Sequence, residues 1–305
     1  MTKVKKLSII LPMKRIDTYF AKEYEADTPT ASMRKLRPVA EAASAAGYAN
    51  ILKTSSSEGV SDKLKKIHNA DYVEAFSNGT YPLSESNGWG WSKEIRDGVF
   101  RINTGQLDAA KAALSNGIAA NVAQGFHHAG IERGCGYCTF NGLALVANEY
   151  KTKKVFVLDC DEHGGNGTAE FTNILDNLSQ VTINGSNFGT EENPRSRCIT
   201  LPRITNRFEL YEDALEEGFS IMDRFEPDLV IYQAGADPHI DDPLGSLGMT
   251  TEQMYNRDKK VFTKLKASNI PTMFVLAGGY QTPIEEKLVP LHLNTFKAAH
   301  EVYNN

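Results

Sequence analysis

The sequence predicts an α/β domain with a mainly parallel central sheet between two layers of helices, a three-layer α/β/α arrangement. Two observations carry this. Short apolar runs such as Val155 to Leu158, Leu229 to Tyr232 and Met273 to Leu276 recur between longer segments of helical period. These runs are continuous rather than alternating, as strands covered on both faces are, and the helices between them supply the crossovers that parallel strands need.

The remaining elements follow in chain order. Leu7 to Leu11, Asn50 to Lys53 and Gln180 to Ile183 read as further strands. Helical periodicity marks Ser32 to Ala46, Gly105 to Ala123, Leu143 to Tyr150, Arg207 to Phe225, Thr250 to Ala267 and Ile284 to Val302. The segment Asn78 to Trp91, rich in Ser, Gly and Asn and holding both tryptophans, reads as a functional loop. With no repeat or low-complexity linker, residues 1–305 are expected to form one domain.

Composition narrows the function classes. Hydrophobic residues make up 41% and charged residues 23%, with a net charge of −5 and no basic stripe, so nothing indicates nucleic-acid binding. No apolar stretch nears the ~20 residues of a membrane span, and a cytoplasmic enzyme is expected. Cys135-Gly-Tyr-Cys138 allows a redox dithiol or half of a zinc site. It sits in a Gly-rich loop rather than at a helix start, and Cys160 and Cys198 are isolated, which disfavours both.

In open α/β sheets ligands bind at the carboxyl ends of strands, so the polar residues beyond them matter most. The strand Val155 to Leu158 runs into Asp159-Cys-Asp161-Glu-His163-Gly-Gly-Asn166-Gly, where alternation places Asp159, Asp161 and His163 on one face. The run ending at Tyr232 leads to Gln233-Ala-Gly-Ala-Asp237. Two carboxylates and one imidazole form an open three-ligand metal set. Any one of these acids alone reads better as a helix cap, but capping does not call for a histidine two residues after an aspartate. Gly125-Phe-His127-His128-Ala-Gly130 supplies adjacent histidines between glycines, and Gly278-Gly279-Tyr280 presents a tyrosine after a strand. Alone, these two would read as a solvated pair and a turn.

Together, in this order, and with Gly136-Tyr137-Cys138-Thr-Phe-Asn141, these motifs resemble the histone deacetylase and acetylpolyamine amidohydrolase superfamily. His68-Asn-Ala-Asp-Tyr72 and Gly90-Trp91-Ser92 are softer matches, and the resemblance runs from about Val60 to the C-terminus. It implies the arginase/deacetylase-like fold and a metal-dependent amidohydrolase that removes acyl groups, acetyl foremost, from lysine-like or polyamine amines by metal-activated water. Asp161, His163 and Asp237 would be ligands of Zn²⁺, with Fe²⁺ or Co²⁺ also compatible with the set. His127 and His128 would be the paired active-site histidines, partnered by Asp159 and Asn166, and Tyr280 the transition-state hydrogen-bond donor. Gly136 and Tyr137 would line the tunnel for the acylated chain. A monovalent cation such as K⁺ near Asp159 is also implied, with Asn184 as a weak contributor. The expected partners are an acylated lysine of a protein or a small acetylated amine.

The chain departs from the family at three places. Gly164 replaces the usual His or Gln, which predicts more room beside the metal. Asn166 stands where some members have Asp, so His128 is expected to titrate lower. The segment Met13 to Lys35 lacks the expected His-Pro pattern, leaving rim specificity open. An arginase-like ureohydrolase is a second reading, disfavoured because position 165 is Gly rather than the acid a second metal needs. A catalytically silent protein that only captures acylated chains is the third, and the complete set of polar residues argues against it.

Overall fold

A computed structural model describes residues 14–305. The expected strand Leu7 to Leu11 lies outside the described residues. The chain begins with β1 (Ile16–Phe20), α1 (Leu36–Ala45), β2 (Ala49–Lys53), α2 (Val60–Leu64), α3 (Ala70–Asn78), α4 (Lys93–Asn116) and β3 (Ile118–Asn121). It continues with α5 (Gly142–Glu149), β4 (Val155–Asp159), α6 (Asn166–Thr172), β5 (Leu178–Asn184) and β6 (Ser196–Thr200). It closes with α7 (Glu209–Phe225), β7 (Leu229–Ala234), α8 (Thr251–Ala267), β8 (Thr272–Leu276) and α9 (Val289–Asn304).

The strands form one eight-stranded sheet in the order β2-β1-β3-β8-β7-β4-β5-β6, and every pairing is parallel. Every residue of β4, β5, β7 and β8 is buried, which is why these strands read as unbroken apolar runs. Fully burying each Val, Leu, Ile or Phe there contributes about 1.5–3 kcal/mol. Helices α4, α5 and α6 pack together as one layer, and α1, α9, α8 and α7 as the other.

Several helix starts follow from local chemistry. The Ser92 side chain accepts from Ile95 N, opening α4, and the Asn141 side chain accepts from Ala144 N, opening α5. Thr250 and Gln253 form a reciprocal capping box that starts α8. One expectation is corrected: the helix over Gly105 to Ala123 stops at Asn116. Gly117, at φ +88°, turns the chain, and Ile118–Asn121 become β3. β1 and β6, which flank the buried strands and are partly exposed, had no apolar run to reveal them.

Register brings the functional ends level. Asp159 at the end of β4 pairs with Gln233 of β7, Gln233 with Val275 of β8, and Val275 with Asn121 of β3. The segments that leave these strands therefore emerge side by side at one edge of the sheet.

Candidate active site

Residues 159–163, 233–237 and 277–280 meet at that edge. One ligand atom each from Asp161, His163 and Asp237 lies within 4.8 Å of the others. His163 Nδ1 stands 3.3 Å from Asp161 Oδ1 and 3.3 Å from Asp237 Oδ2. Backbone amides orient the acids: Gly278 N–H donates to Asp161 Oδ2 at 2.7 Å, and Glu162 N–H to Asp237 Oδ1 at 3.2 Å. Gly278 must be glycine, because an added Cβ would lie 1.9 Å from Asp237 Oδ2. Behind the site, the buried Arg257 of α8 donates to the carbonyl of Cys160, between the two aspartates, at 3.0 Å.

This donor set fits a divalent cation. Asp237 Oδ2 is fully buried and has no hydrogen-bond partner, and a buried carboxylate oxygen left so is costly. Burial, then the charge of Asp161, pushes the Asp237 carboxyl up to about 6. His163 is pushed up to about 11: burial opposes its charge, but the adjacent carboxylates of Asp161 and Asp237 outweigh it. A cation held among these three side chains would satisfy both acids, and because it needs His163 neutral, its binding would release a proton.

The histidine pair lies beside this set. His127 Nδ1 donates to Asp159 Oδ2 at 2.7 Å, and Asp159 also accepts from Gln233 Nε2 at 3.1 Å. His128 Nδ1 is 2.7 Å from Asn166 Oδ1, an acceptor that places the proton on Nδ1 and leaves Nε2 its lone pair. Burial opposes the charge of His127, but Asp159 and Asp161 outweigh it and hold its pKa above the usual imidazole value. His128 is held well below that value, by burial first and by the charge of His127 second. The low titration expected from an uncharged Asn166 therefore has burial as its leading cause.

Gly136 and Tyr137 form a two-residue turn in which Cys135 and Cys138 exchange backbone hydrogen bonds of 3.0 and 2.8 Å. Both turn residues have positive φ, +51° and +63°. All four thiols are free. Tyr137 borders the slot above the metal set and is supported by the Asn78 to Trp91 loop: Trp89 is buried, and its ring lies 6.4 Å from Tyr137 with the planes 10° apart. The slot, about 230 Å³, is also lined by His128, His163, Phe188, Leu244 and Tyr280. Tyr280 N–H donates to Asp242 Oδ2 at 2.8 Å, and burial followed by the charges of Asp237 and Asp161 keeps its hydroxyl protonated.

Three contributors were missed from the sequence. Lys35 is fully buried, and its ammonium donates to the carbonyls of Ala277 (2.5 Å) and Gly278 (3.0 Å), bracing the turn before Tyr280. Asp242 anchors Tyr280 and also accepts from Leu244 N at 3.0 Å. Phe188 forms one wall of the slot. Only Asp242, a turn-forming Asp before Pro243, left a local signal. Asn184 offers little for a cation near Asp159, since Cys198 Sγ donates to its oxygen (3.1 Å) and its amide donates to Ser186 and Thr200.

One expectation about shape is overturned. Gly164 does not leave room beside the metal set: a Cβ there would lie 2.3 Å from the carbonyl oxygen of Gly189, so neighbouring backbone already fills the space.

Comparisons with known proteins place the chain in a family. A family model described as the histone deacetylase domain matches residues 29–296, and the chain belongs to that family, a class of hydrolytic amide deacylases. Among particular relatives, the chain is 30% identical to an uncharacterized protein of Picosynechococcus, over 79% of this chain and 82% of that one. It is 33% identical to Histone deacetylase 2 of Arabidopsis thaliana and 30% to the acetoin utilization protein AcuC of Staphylococcus aureus, over 58% and 64% of this chain. It spans only 48% and 57% of those two proteins. An acetylpolyamine aminohydrolase from Burkholderia pseudomallei shares the fold at a TM-score of 0.79 and 18% identity, covering 94% of this chain and 99% of that one.

Proposed function

We propose that the protein is a metal-dependent amidohydrolase that removes short acyl groups, acetyl foremost, from lysine-like or polyamine amines. The observation that carries this reading is the convergence of Asp161, His163 and Asp237, with an orphaned Asp237 oxygen, where His163 meets a slot bordered by His128 and Tyr280 and where His127 and Asp161 line the small cavity beside it. Zn²⁺, or alternatively Fe²⁺ or Co²⁺, held by these three side chains would act as Lewis acid toward the amide carbonyl and lower the pKa of water.

The chain's own residues divide the proton work. His128, neutral with Nε2 available, is the general base for the attacking water. His127, favoured in its charged form by Asp159, contributes positive charge beside the reacting carbonyl, and a protonated imidazole returns a proton to the departing amine. The Tyr280 hydroxyl donates to the oxyanion as charge develops. Lys35 and Asp242 hold the turn that presents it.

A cavity of about 20 Å³, lined by Ser32, Gln124, Phe126 and Cys138 among others, adjoins the slot and shares Gly136, Tyr137 and Tyr280 with it; so small a space favours a short acyl group over a long one. The free thiols and the lack, among the described residues, of any helix long and apolar enough to cross a membrane fit a cytoplasmic setting. The ureohydrolase alternative loses further ground at Gly165, where an added Cβ would already lie 3.0 Å from Asp159 Oδ2.

The test is a panel of acyl-lysine peptides and acetylated polyamines, assayed for released carboxylate with metal content measured. Hydrolysis of at least one is expected. Tight binding without release under any supplied divalent metal would make the silent binder the better reading.

A further inference from the structure

The backbone around Gly164 makes a contact that none of the proposed chemistry uses. Gly164 N–H donates to the carbonyl of Phe188 at 2.9 Å. A Cβ at Gly164 would lie 2.3 Å from Gly189 O, 2.5 Å from Gly189 C and 2.8 Å from Thr190 N. The obstruction is reciprocal, because a Cβ at Gly189 would lie 2.2 Å from Gly164 O. These neighbours are main chain, which cannot swing aside as a flexible side chain does. Two glycines facing each other therefore let the segment around Phe188 lie directly on the loop that carries His163. Glu162 adds two stitches, its carbonyl accepting from Gly185 N and Ser186 N at 3.1 Å each.

Phe188 gains its position from this seat. Phe188 is 49% exposed, so burial alone does not hold it. Its ring nevertheless stands edge-on 4.9 Å from His128 and 6.0 Å from His163. It also faces the opposite wall, since a Cβ on Gly136 would lie 3.2 Å from Phe188 Cε1. The width of the slot between Phe188 and the Gly136–Tyr137 turn is thereby tied to the Gly164–Gly189 contact.

We propose that Gly164 is a specificity-determining position: by having no side chain it seats the Phe188–Gly189 backbone and so fixes Phe188 as one wall of the slot. Gly164 acts through Phe188 and is a positioning residue. The proposal deepens the deacylase reading and rests on it for the identity of the chain in the slot.

The test uses the full-length, metal-loaded protein and the variants Gly164→Ala, Gly189→Ala, Phe188→Ala and Gly164→Ala with Phe188→Ala. The first readout needs no activity: chymotrypsin cleavage after Phe188, located by mass spectrometry. In the wild type the seated backbone resists cleavage, and in Gly164→Ala the rate at this bond rises by about tenfold, following the population of the released segment. Unchanged cleavage overturns the seat. The second readout is steady-state kinetics on an acetyl-lysine peptide. Loss of one aromatic wall raises KM by about tenfold in Gly164→Ala, with kcat changing far less. The double variant shows no further rise over Phe188→Ala, because both changes remove one contact. Additive KM effects, or an unchanged KM in variants that retain metal, overturn the specificity role. Gly189→Ala disturbs the contact from its far side; because its Cβ would also meet His128 Cε1 at 2.8 Å, it is judged by the cleavage readout alone, and unchanged cleavage in it overturns the seat. A wild type that hydrolyses no acylated amine sinks the deacylase reading instead, while the cleavage result still judges the seat.

Discussion

His127 and His128 are sequence neighbours with ring centroids 4.0 Å apart, yet their surroundings favour opposite charge states. The difference lies in what each Nδ1 meets: a buried carboxylate at His127 and a neutral amide at His128. Environments that push two titratable groups apart in this way separate acid from base.

Asn166→Asp tests that division. A carboxylate beside His128 raises its pKa by about 1–3 units. The base works when neutral, so activity falls as pH drops through its pKa. The wild type should keep activity below the ordinary histidine range, and the variant should lose it at higher pH. The pH profile of kcat/KM measures this, and an acid limb that stays in place would remove His128 from the role of base.

Metal content gives a second check. Purified protein should carry about one divalent ion per chain, and Asp237→Ala should lose both ion and activity, as three-ligand sites do. Elemental analysis showing two tightly held ions per chain would favour the ureohydrolase reading.

Tyr280→Phe removes one oxygen and leaves the ring between Tyr137 and the metal set, where the Tyr137 and Tyr280 rings now stand 6.1 Å apart. Losing one oxyanion donor costs about 10²–10³ in turnover. The turnover number should fall by that order while substrate binding changes little. Near-normal turnover would show that another donor serves.

His68 links the fold to pH. It is buried, with Nδ1 donating to Gly130 O at 2.8 Å and Nε2 accepting from Asn141 N at 3.1 Å, so the neutral ring ties together the segments that carry the histidine pair and the Tyr137 turn. Burial pushes its pKa down to about 4. The folded state then binds fewer protons than the unfolded chain below the unfolded value of about 6.5, and stability falls as pH drops from there toward the folded pKa. Between pH 7 and 5 this one group should cost about 2 kcal/mol. Urea unfolding at both pH values should show it, and His68→Gln should be less stable at pH 7 but lose less on acidification. An equal loss in both proteins would assign the acid sensitivity to other groups.

Elements with strong local signals were legible. β4, β7 and β8 announced themselves because strands buried on both faces must be apolar throughout, and the helix over Thr250 to Ala267 because its cap is written in adjacent residues. β3 was hidden because Ile118-Ala-Ala-Asn suits a helix as well as a strand, and only Gly117 marked the break. The proposed ligands and histidines were legible because each stands just beyond a strand or a glycine turn.

Which side chains are equipped for chemistry was determined by the sequence alone, since carboxylates, imidazoles and a tyrosine at strand ends carry their chemistry wherever they are placed. Their convergence was decided by the parallel register, which sets β4 beside β7 and β3 beside β8 although they lie far apart in the chain. The support around them was decided there too. Lys35 reaches the Gly278 carbonyl from the far end of the chain, and Phe188 is seated by contact between two glycine backbones. A glycine in a sequence signals freedom or close approach without saying which, and only the packed structure shows what comes close.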